Sequence, residues 1–235
     1  MSRADALGRA FAGSQLQVQI YVNRRQEEMR LAILDELCDL AATAHVACWT
    51  SPLESEGFKE FQDEDFLRAV GLGRFSQPLR GFWPRRGPVW DALAIVGGLP
   101  GEQRLGVLLV EGKSYPGEVY GPGCQARSTA SRKMINSSLD KTKQWLDVDS
   151  GRDWLGPLYQ SANRLAHLYW LREELRVPAW LVNLYFVDDP RSPTNVSEWR
   201  AHVTQVTREL GLPTQRQPYL GHVVLPARSR DELLG

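Results

Sequence analysis

The chain has 235 residues, of which 43% are hydrophobic and 24% are charged, as in an ordinary globular protein. Its 28 basic residues balance its 28 acidic residues, so overall charge indicates neither a nucleic acid nor a membrane surface as a partner. Three scattered cysteines without a CxxC or Cys/His cluster argue against structural zinc, and no stretch has the hydropathy of a secretory signal or membrane span. We expect a cytoplasmic protein without a membrane partner.

Hydrophobic periodicity predicts helices and strands in alternation. In chain order they are a helix over 21–44, a strand or loop over 45–50, a short helix near 64–70 within an irregular segment 53–88, strands over 89–96 and 105–115, helices over 131–146 and 155–175, a strand over 177–187, a helix over 197–210 and a strand over 222–225. Ser197 and Gly211 are the predicted caps of the last helix. This order indicates one α/β domain over 1–235.

Two charged side chains, Glu111 and Lys113, end an apolar strand. Burying a charge is costly unless it is paired or binds a metal. Strand alternation places both side chains on one face, and an antiparallel hairpin with the preceding strand would place Asp91 beside Glu111. Two adjacent carboxylates repel, and a hard cation such as Mg²⁺, or Mn²⁺ as a second candidate, removes the conflict. The alternative is a surface Glu–Lys pair with an incidental Asp.

Asp91, followed on the next strand by Glu111-Gly112-Lys113, resembles the motif of the PD-(D/E)xK nuclease superfamily. The resemblance covers the αβββαβ order over about 21–187, although Trp90 stands where a proline often precedes the Asp. It implies a restriction-endonuclease-like core with a central mixed β-sheet flanked by helices, followed by a helix and strand over 197–225. It also implies that Asp91 and Glu111 bind magnesium with the Gly112 carbonyl, and that Lys113 assists the nucleophilic water.

The predicted helix 155–175 is apolar on most sides but carries a polar stripe. Gln160, Asn163, Arg164 and His167 recur at i, i+3, i+4 and i+7. Several superfamily members carry a QxxxY motif on this helix near the active site, so the resemblance implies a catalytic role for Gln160. Arg164 replaces the Tyr, and we expect Gln160 and Arg164 to face the Asp91–Glu111–Lys113 cluster, where they either support the site residues or contact a phosphate. The alternative is a solvated face, and we expect His167 to be structural.

Many members of this superfamily supply a further metal-site Glu from the first helix. Glu27 falls within the apolar arc of helix 21–44 and is the first candidate, with Glu36 the second. The alternative is a carboxylate that stabilises the positive end of a helix dipole.

Basic residues flank the predicted site on both sides in sequence. The candidate nucleic-acid-binding residues are Arg85, Arg86, Arg127, Arg132 and Lys133. Basic flanks around an acidic pocket suit a polyanionic substrate.

The sequence therefore predicts a magnesium-dependent nuclease that hydrolyses phosphodiester bonds, first of all in DNA, through a metal-activated water. No GxSxG, Walker A, GxGxxG or HExxH motif indicates another chemistry. Two alternatives stay open: a catalytically silent nucleic-acid-binding or assembly module with the same fold, and a nuclease that acts on RNA. A homodimer is the one assembly that we propose to test.

Overall fold

A five-stranded mixed sheet forms the centre of the molecule. The structure, a computed structural model, describes residues 3–37, 40, 45–97 and 106–234. The strands are β1 (His45–Ser51), β2 (Ala92–Gly97), β3 (Gly106–Lys113), β4 (Ala179–Val187) and β5 (Leu220–Pro226), in the spatial order β1-β2-β3-β4-β5. β1, β2 and β3 pair antiparallel, whereas β3, β4 and β5 pair parallel. The predicted hairpin of β2 and β3 is confirmed, although residues 98–105 lie outside the described residues.

Helices cover both faces of the sheet. They are α1 (Gly13–Arg24), α2 (Gln26–Glu36), α3 (Asp63–Ala69), α4 (Ser76–Phe82), α5 (Thr129–Trp145), α6 (Tyr159–Tyr169), α7 (Val196–Leu210) and α8 (Asp231–Leu234). The prediction of an α/β fold with a mixed sheet flanked by helices is confirmed. Within the described ranges, no helix has both the length and the hydropathy needed to cross a membrane.

Alternation along the strands divides the core into two layers. Leu109 of β3 and Leu181 of β4 face the layer built by α3 to α7, whereas Leu108 and Val110 face α1 and α2. Glu111 and Lys113 continue the Leu109 side, so they project toward α6 and α7.

The prediction of one helix over 21–44 is wrong. Two helices, α1 and α2, meet at Arg25, and residues 38, 39 and 41–44 lie outside the described part of the chain. Residues 16–20 have the sequence LQVQI, in which apolar and polar residues alternate as in a strand. The sequence pattern therefore did not predict α1. Gln17 and Gln19 are buried on this helix, where they bond the backbone of Arg228 and of Gly8.

Three other features differ from the sequence prediction: the bounds of one helix, the presence of another, and an N-cap. α6 begins at Tyr159 instead of 155 and ends in a π-helical turn, Trp170–Glu174. α4 lies in the segment predicted to be irregular. Asn195, not Ser197, caps α7 through a capping box with Glu198, so the predicted N-cap is wrong. Gly211 ends the helix with φ of 74°, as predicted for a C-cap.

Gly112 allows α1 to approach the end of β3. A Cβ at this position would lie 2.7 Å from Val18 Cγ2 and 3.4 Å from Phe186 Cε2. We expect Gly112→Ala to lower the free energy of unfolding by about 1–3 kcal/mol, the usual cost of overpacking a core. Gly81→Ala in α4, where nothing lies within 4 Å, is the control and should not destabilise. Equal urea midpoints for the two variants would contradict this close approach.

Candidate active site

Asp91, Glu111 and Lys113 meet where β3 ends. Ala92 pairs with Val110, so Asp91, the residue before Ala92, lies next to Glu111, the residue after Val110. Asp91 Oδ2 accepts the backbone N–H of Gly112 at 2.8 Å, and Lys113 Nζ donates to Glu111 Oε1 at 2.6 Å. Strand alternation places Glu111 and Lys113 on one side of β3, and Asp91, in the bend before β2, reaches them through its hydrogen bond to Gly112.

Glu111 is held by two cations. Its side chain is 6% exposed, and Arg164 reaches its second oxygen, Oε2, with Nη2 at 2.6 Å and Nε at 2.7 Å. Lys113 occupies the first oxygen, so each carboxylate oxygen has its own cationic donor. Unassisted burial would raise the pKa of Glu111, but Arg164 and Lys113 together lower it. Glu111 is therefore a carboxylate anion at neutral pH.

Asp91 has the opposite electrostatic environment. Burial, followed by the charge of Glu111, raises the pKa of Asp91 well above its ordinary value, and the Gly112 hydrogen bond offsets only part of this. Two carboxylates whose environments separate their pKa values are typical of functional sites.

The structure places Gln160 and Arg164 of the polar stripe at the cluster. Gln160 Oε1 accepts a hydrogen bond from Lys113 Nζ at 3.3 Å. Arg164 also donates to the Val89 carbonyl and to Asn163 Oδ1, both at 3.0 Å. Arg164 is 7% exposed, and each of its nitrogens has a partner within the protein. Its predicted role as a nucleic-acid contact is therefore corrected, because it is a positioning residue for Glu111.

Glu27 and Glu36, the carboxylates predicted on helix 21–44, do not reach the cluster. Glu27 lies on α2, against the opposite layer of the sheet, with its side chain 68% exposed and paired with Arg30 at 2.6 Å. Glu36 pairs with Arg216 at 3.0 Å beside β5. The prediction that Glu27 is a metal ligand is corrected, because its side chain points into solvent and is already paired.

Glu60 is a neighbour of the cluster that the sequence prediction missed. Phe61 pairs antiparallel with Trp90, which places Glu60 opposite Asp91 at the next position. Gln15 Nε2 donates to Glu60 Oε1 at 3.1 Å. Burial raises the pKa of Glu60, and the charge of Glu111 raises it further. No local signal predicts this residue, because its position depends on a single long-range bridge.

The predicted nucleic-acid-binding residues of the basic segments lie on the surface. Arg127, Arg132 and Lys133 line an open groove along α5, and Arg85 and Arg86 are exposed after α4. Within the described chain, none of these five forms a salt bridge. They do not line the cleft beside Lys113, so a role for them in binding stays a prediction.

His167 is a buried structural histidine, 1% exposed, whose Nδ1–H donates to the Asn163 carbonyl at 2.8 Å. The rings around it are Phe66, Phe82, Trp83 and Trp90. Burial lowers the pKa of His167 from 6.5 to about 4. Between pH 6.5 and 4 the unfolded chain protonates His167 and the folded chain does not. The free energy of unfolding therefore falls as pH falls through this range.

This predicts a loss of about 3 kcal/mol from His167 between neutral pH and pH 4, at 1.36 kcal/mol per pKa unit. Urea unfolding of the parent and His167→Gln across this range measures it. We expect the parent to be more stable at pH 7 and the difference to shrink as pH falls. A difference that does not change with pH would contradict the assignment of a neutral His167.

The two carboxylates of the cluster suit a magnesium site that is completed by water and substrate better than a site in which the protein supplies every ligand. Among the described residues, no three or more His, Cys, Asp or Glu side chains are grouped to hold a metal ion. Asp91 and Glu111 offer two carboxylates at the end of β3. Mg²⁺ typically binds through one or two carboxylates and completes its shell with waters and substrate phosphates. The residues fit such an ion and do not fit structural zinc.

No protein-family model, curated protein or solved structure matches this chain. The function therefore has to be inferred from the geometry and charge of the site.

Proposed function

We propose that the protein is a magnesium-dependent nuclease that hydrolyses phosphodiester bonds, first of all in DNA, on a restriction-endonuclease-like core. The observation that carries the proposal is that Asp91, Glu111 and Lys113 meet at the end of β3. We also propose a cytoplasmic location, consistent with the sparse cysteines, and a homodimer as an assembly to be tested.

Asp91 and Glu111 would hold the ion, with Mn²⁺ as a substitute and the Gly112 carbonyl as a further ligand. When bound, Mg²⁺ supplies positive charge for the scissile phosphate and lowers the pKa of an attacking water. Lys113 Nζ has three N–H donors, of which Glu111 and Gln160 take two. The third is available to orient the water or a phosphate oxygen. Arg164 fixes Glu111 from the other side.

The charges of the cluster support an anionic substrate. The two carboxylates of Asp91 and Glu111 cancel the two cations of Lys113 and Arg164. A bound divalent ion would leave these four residues with a net positive charge, which attracts a phosphodiester.

A catalytically silent nucleic-acid-binding module is the second candidate. Both oxygens of Glu111 already have cationic partners, so neutralising this carboxylate does not require a metal. A nuclease that acts on RNA remains an alternative substrate assignment, because nothing at Asp91, Glu111 or Lys113 distinguishes the two sugars.

Isothermal titration with Mg²⁺ and Mn²⁺ separates the nuclease from the silent module. We expect the parent to bind the ion and Asp91→Asn to bind it at least about tenfold more weakly, since it loses a carboxylate ligand. Glu27→Gln is the control and should bind like the parent, because Glu27 lies outside the cluster. A parent protein that binds neither ion at millimolar concentration, with or without DNA, would refute the nuclease and favour the module.

A further inference from the structure

An open cleft of about 770 Å³ adjoins the proposed catalytic cluster. Lys113 and Gln160 line it, so it is continuous with the site, and Phe11 and Tyr115 also line it. A volume of this order matches the pockets of roughly 300–1,000 Å³ that take a drug-sized ligand. It therefore suits one or two nucleotides.

Two exposed aromatic rings belong to this cleft. Phe11 is 49% exposed and Tyr115 is 42% exposed, and they are the only aromatic residues among the large hydrophobics exposed in the described part of the chain. Exposed rings gathered in one cleft indicate a binding surface more strongly than scattered ones.

A cation holds the Phe11 ring in place, and the Tyr115 ring lies beside Gly117. The Arg230 guanidinium lies over the Phe11 ring, 5.0 Å from its centroid, and is fixed by the Ala10 carbonyl and Asp5. Tyr115 lies against Gly117, where a Cβ would be 3.0 Å from Tyr115 Cε2. Rings that are fixed before binding lose little conformational freedom when a base stacks on them.

The cleft also carries positive charge that the protein leaves unpaired. Arg3 and Arg191 line it, and within the described residues neither forms a salt bridge. Its two carboxylates are engaged by the protein. Glu118 accepts the Ser114 N–H at 2.7 Å, and Asp189 accepts the Arg191 N–H at 3.0 Å. These hydrogen bonds orient the carboxylates without cancelling their charge, so the three cations that line the cleft, Arg3, Lys113 and Arg191, exceed its two carboxylates by one, which suits a phosphate group.

We propose that this cleft binds single-stranded nucleic acid, with bases stacked on Phe11 and Tyr115 and phosphates near Arg3, Arg191 and Lys113. The inference rests on the proposed nuclease function and assigns its substrate class. Aromatic platforms beside cations are how proteins hold unpaired strands, because an unpaired base exposes a face that a duplex keeps stacked.

Fluorescence anisotropy in EDTA tests this binding apart from any cleavage. The probes are a short labelled DNA single strand, the same sequence as RNA, and a blunt DNA hairpin, all at the same salt concentration. We expect the single strands to bind more tightly than the hairpin. Stacking is worth about 1–3 kcal/mol per base, so Phe11→Ala and Tyr115→Ala should each weaken single-strand binding roughly 5- to 140-fold. Phe11→Tyr and Tyr115→Phe should restore it.

Leu31→Ala, which removes an exposed apolar side chain from α2, is the matched control and should bind like the parent. Equal affinity for hairpin and single strands, or alanine variants that bind like Leu31→Ala, would overturn the cleft assignment. Binding through the two rings without cleavage in magnesium would instead refute the nuclease and leave the cleft assignment standing. A preference between the DNA and RNA strands would identify the sugar.

Discussion

Replacing Arg164 with alanine is expected to lower the free energy of unfolding by about 3–5 kcal/mol, because it leaves Glu111 buried with only part of its compensation. Arg164 supplies two of the three cationic contacts to this carboxylate, at 2.6 and 2.7 Å, and ties α6 to the Val89 carbonyl. Urea unfolding monitored by circular dichroism measures the change.

Arg68→Ala is the matched control for this prediction. Arg68 pairs with Glu64 and Asp65 at 3.1 and 2.7 Å, but its side chain is 59% exposed. Exposed ion pairs contribute about 0–1 kcal/mol, so this variant should unfold almost like the parent. The double variant Arg164→Met with Glu111→Gln should recover part of the loss, because it removes the buried carboxylate and the buried guanidinium together and leaves only Lys113, 13% exposed, without its salt-bridge partner. Similar unfolding free energies for Arg164→Ala and Arg68→Ala would contradict a stabilising role for the two contacts between Arg164 and Glu111.

The second large effect is expected in catalysis, where Lys113→Ala and Asp91→Asn should fail differently. Lys113→Ala leaves both carboxylates and removes a cation that repels the ion, so metal affinity should persist or tighten slightly. The chemical step loses the group that orients the water, and single-turnover cleavage should fall about 10²–10⁴-fold. Asp91→Asn should lose metal affinity and cleavage together.

Asp91→Asn is a cleaner test of metal binding than Glu111→Ala. Removing the Glu111 carboxylate would leave the buried Arg164 guanidinium without its partner, so stability and metal binding would change together. Arg68→Ala is the control for removing a cation, since its ion pairs with Glu64 and Asp65 lie on the surface, away from the cluster. A Lys113→Ala protein that cleaves at the parent rate would show that Lys113 is a strand-end residue without a catalytic role.

Sequence reasoning placed the cluster correctly because strands have a strict period of two. Alternation places Glu111 and Lys113 on one side of β3, and the pairing of β2 with β3 brings Asp91, just before β2, to the same end of β3. The helical stripe was similarly informative, because a largely apolar helix must direct Gln160 and Arg164 toward polar partners.

Features that depend on tertiary contacts could not be predicted in this way. The first helix, α1, was missed because residues 16–20 alternate like a strand, and the backbone partners that allow Gln17 and Gln19 to be buried on a helix are tertiary contacts. Glu60 joins the cluster only through the bridge between Phe61 and Trp90. The sequence left Arg164 as either a support for the site residues or a phosphate contact, because it does not show that packing buries the guanidinium against Glu111.

The most direct test of a magnesium-dependent nuclease at this site is a single-turnover cleavage assay with the parent and Asp91→Asn. Single-stranded DNA, plasmid DNA and RNA are each incubated with Mg²⁺ or with EDTA. The account predicts cleavage of the single strand by the parent in Mg²⁺ only, and its loss in Asp91→Asn. Cleavage of no substrate by the parent, or equal cleavage by both proteins, would contradict it.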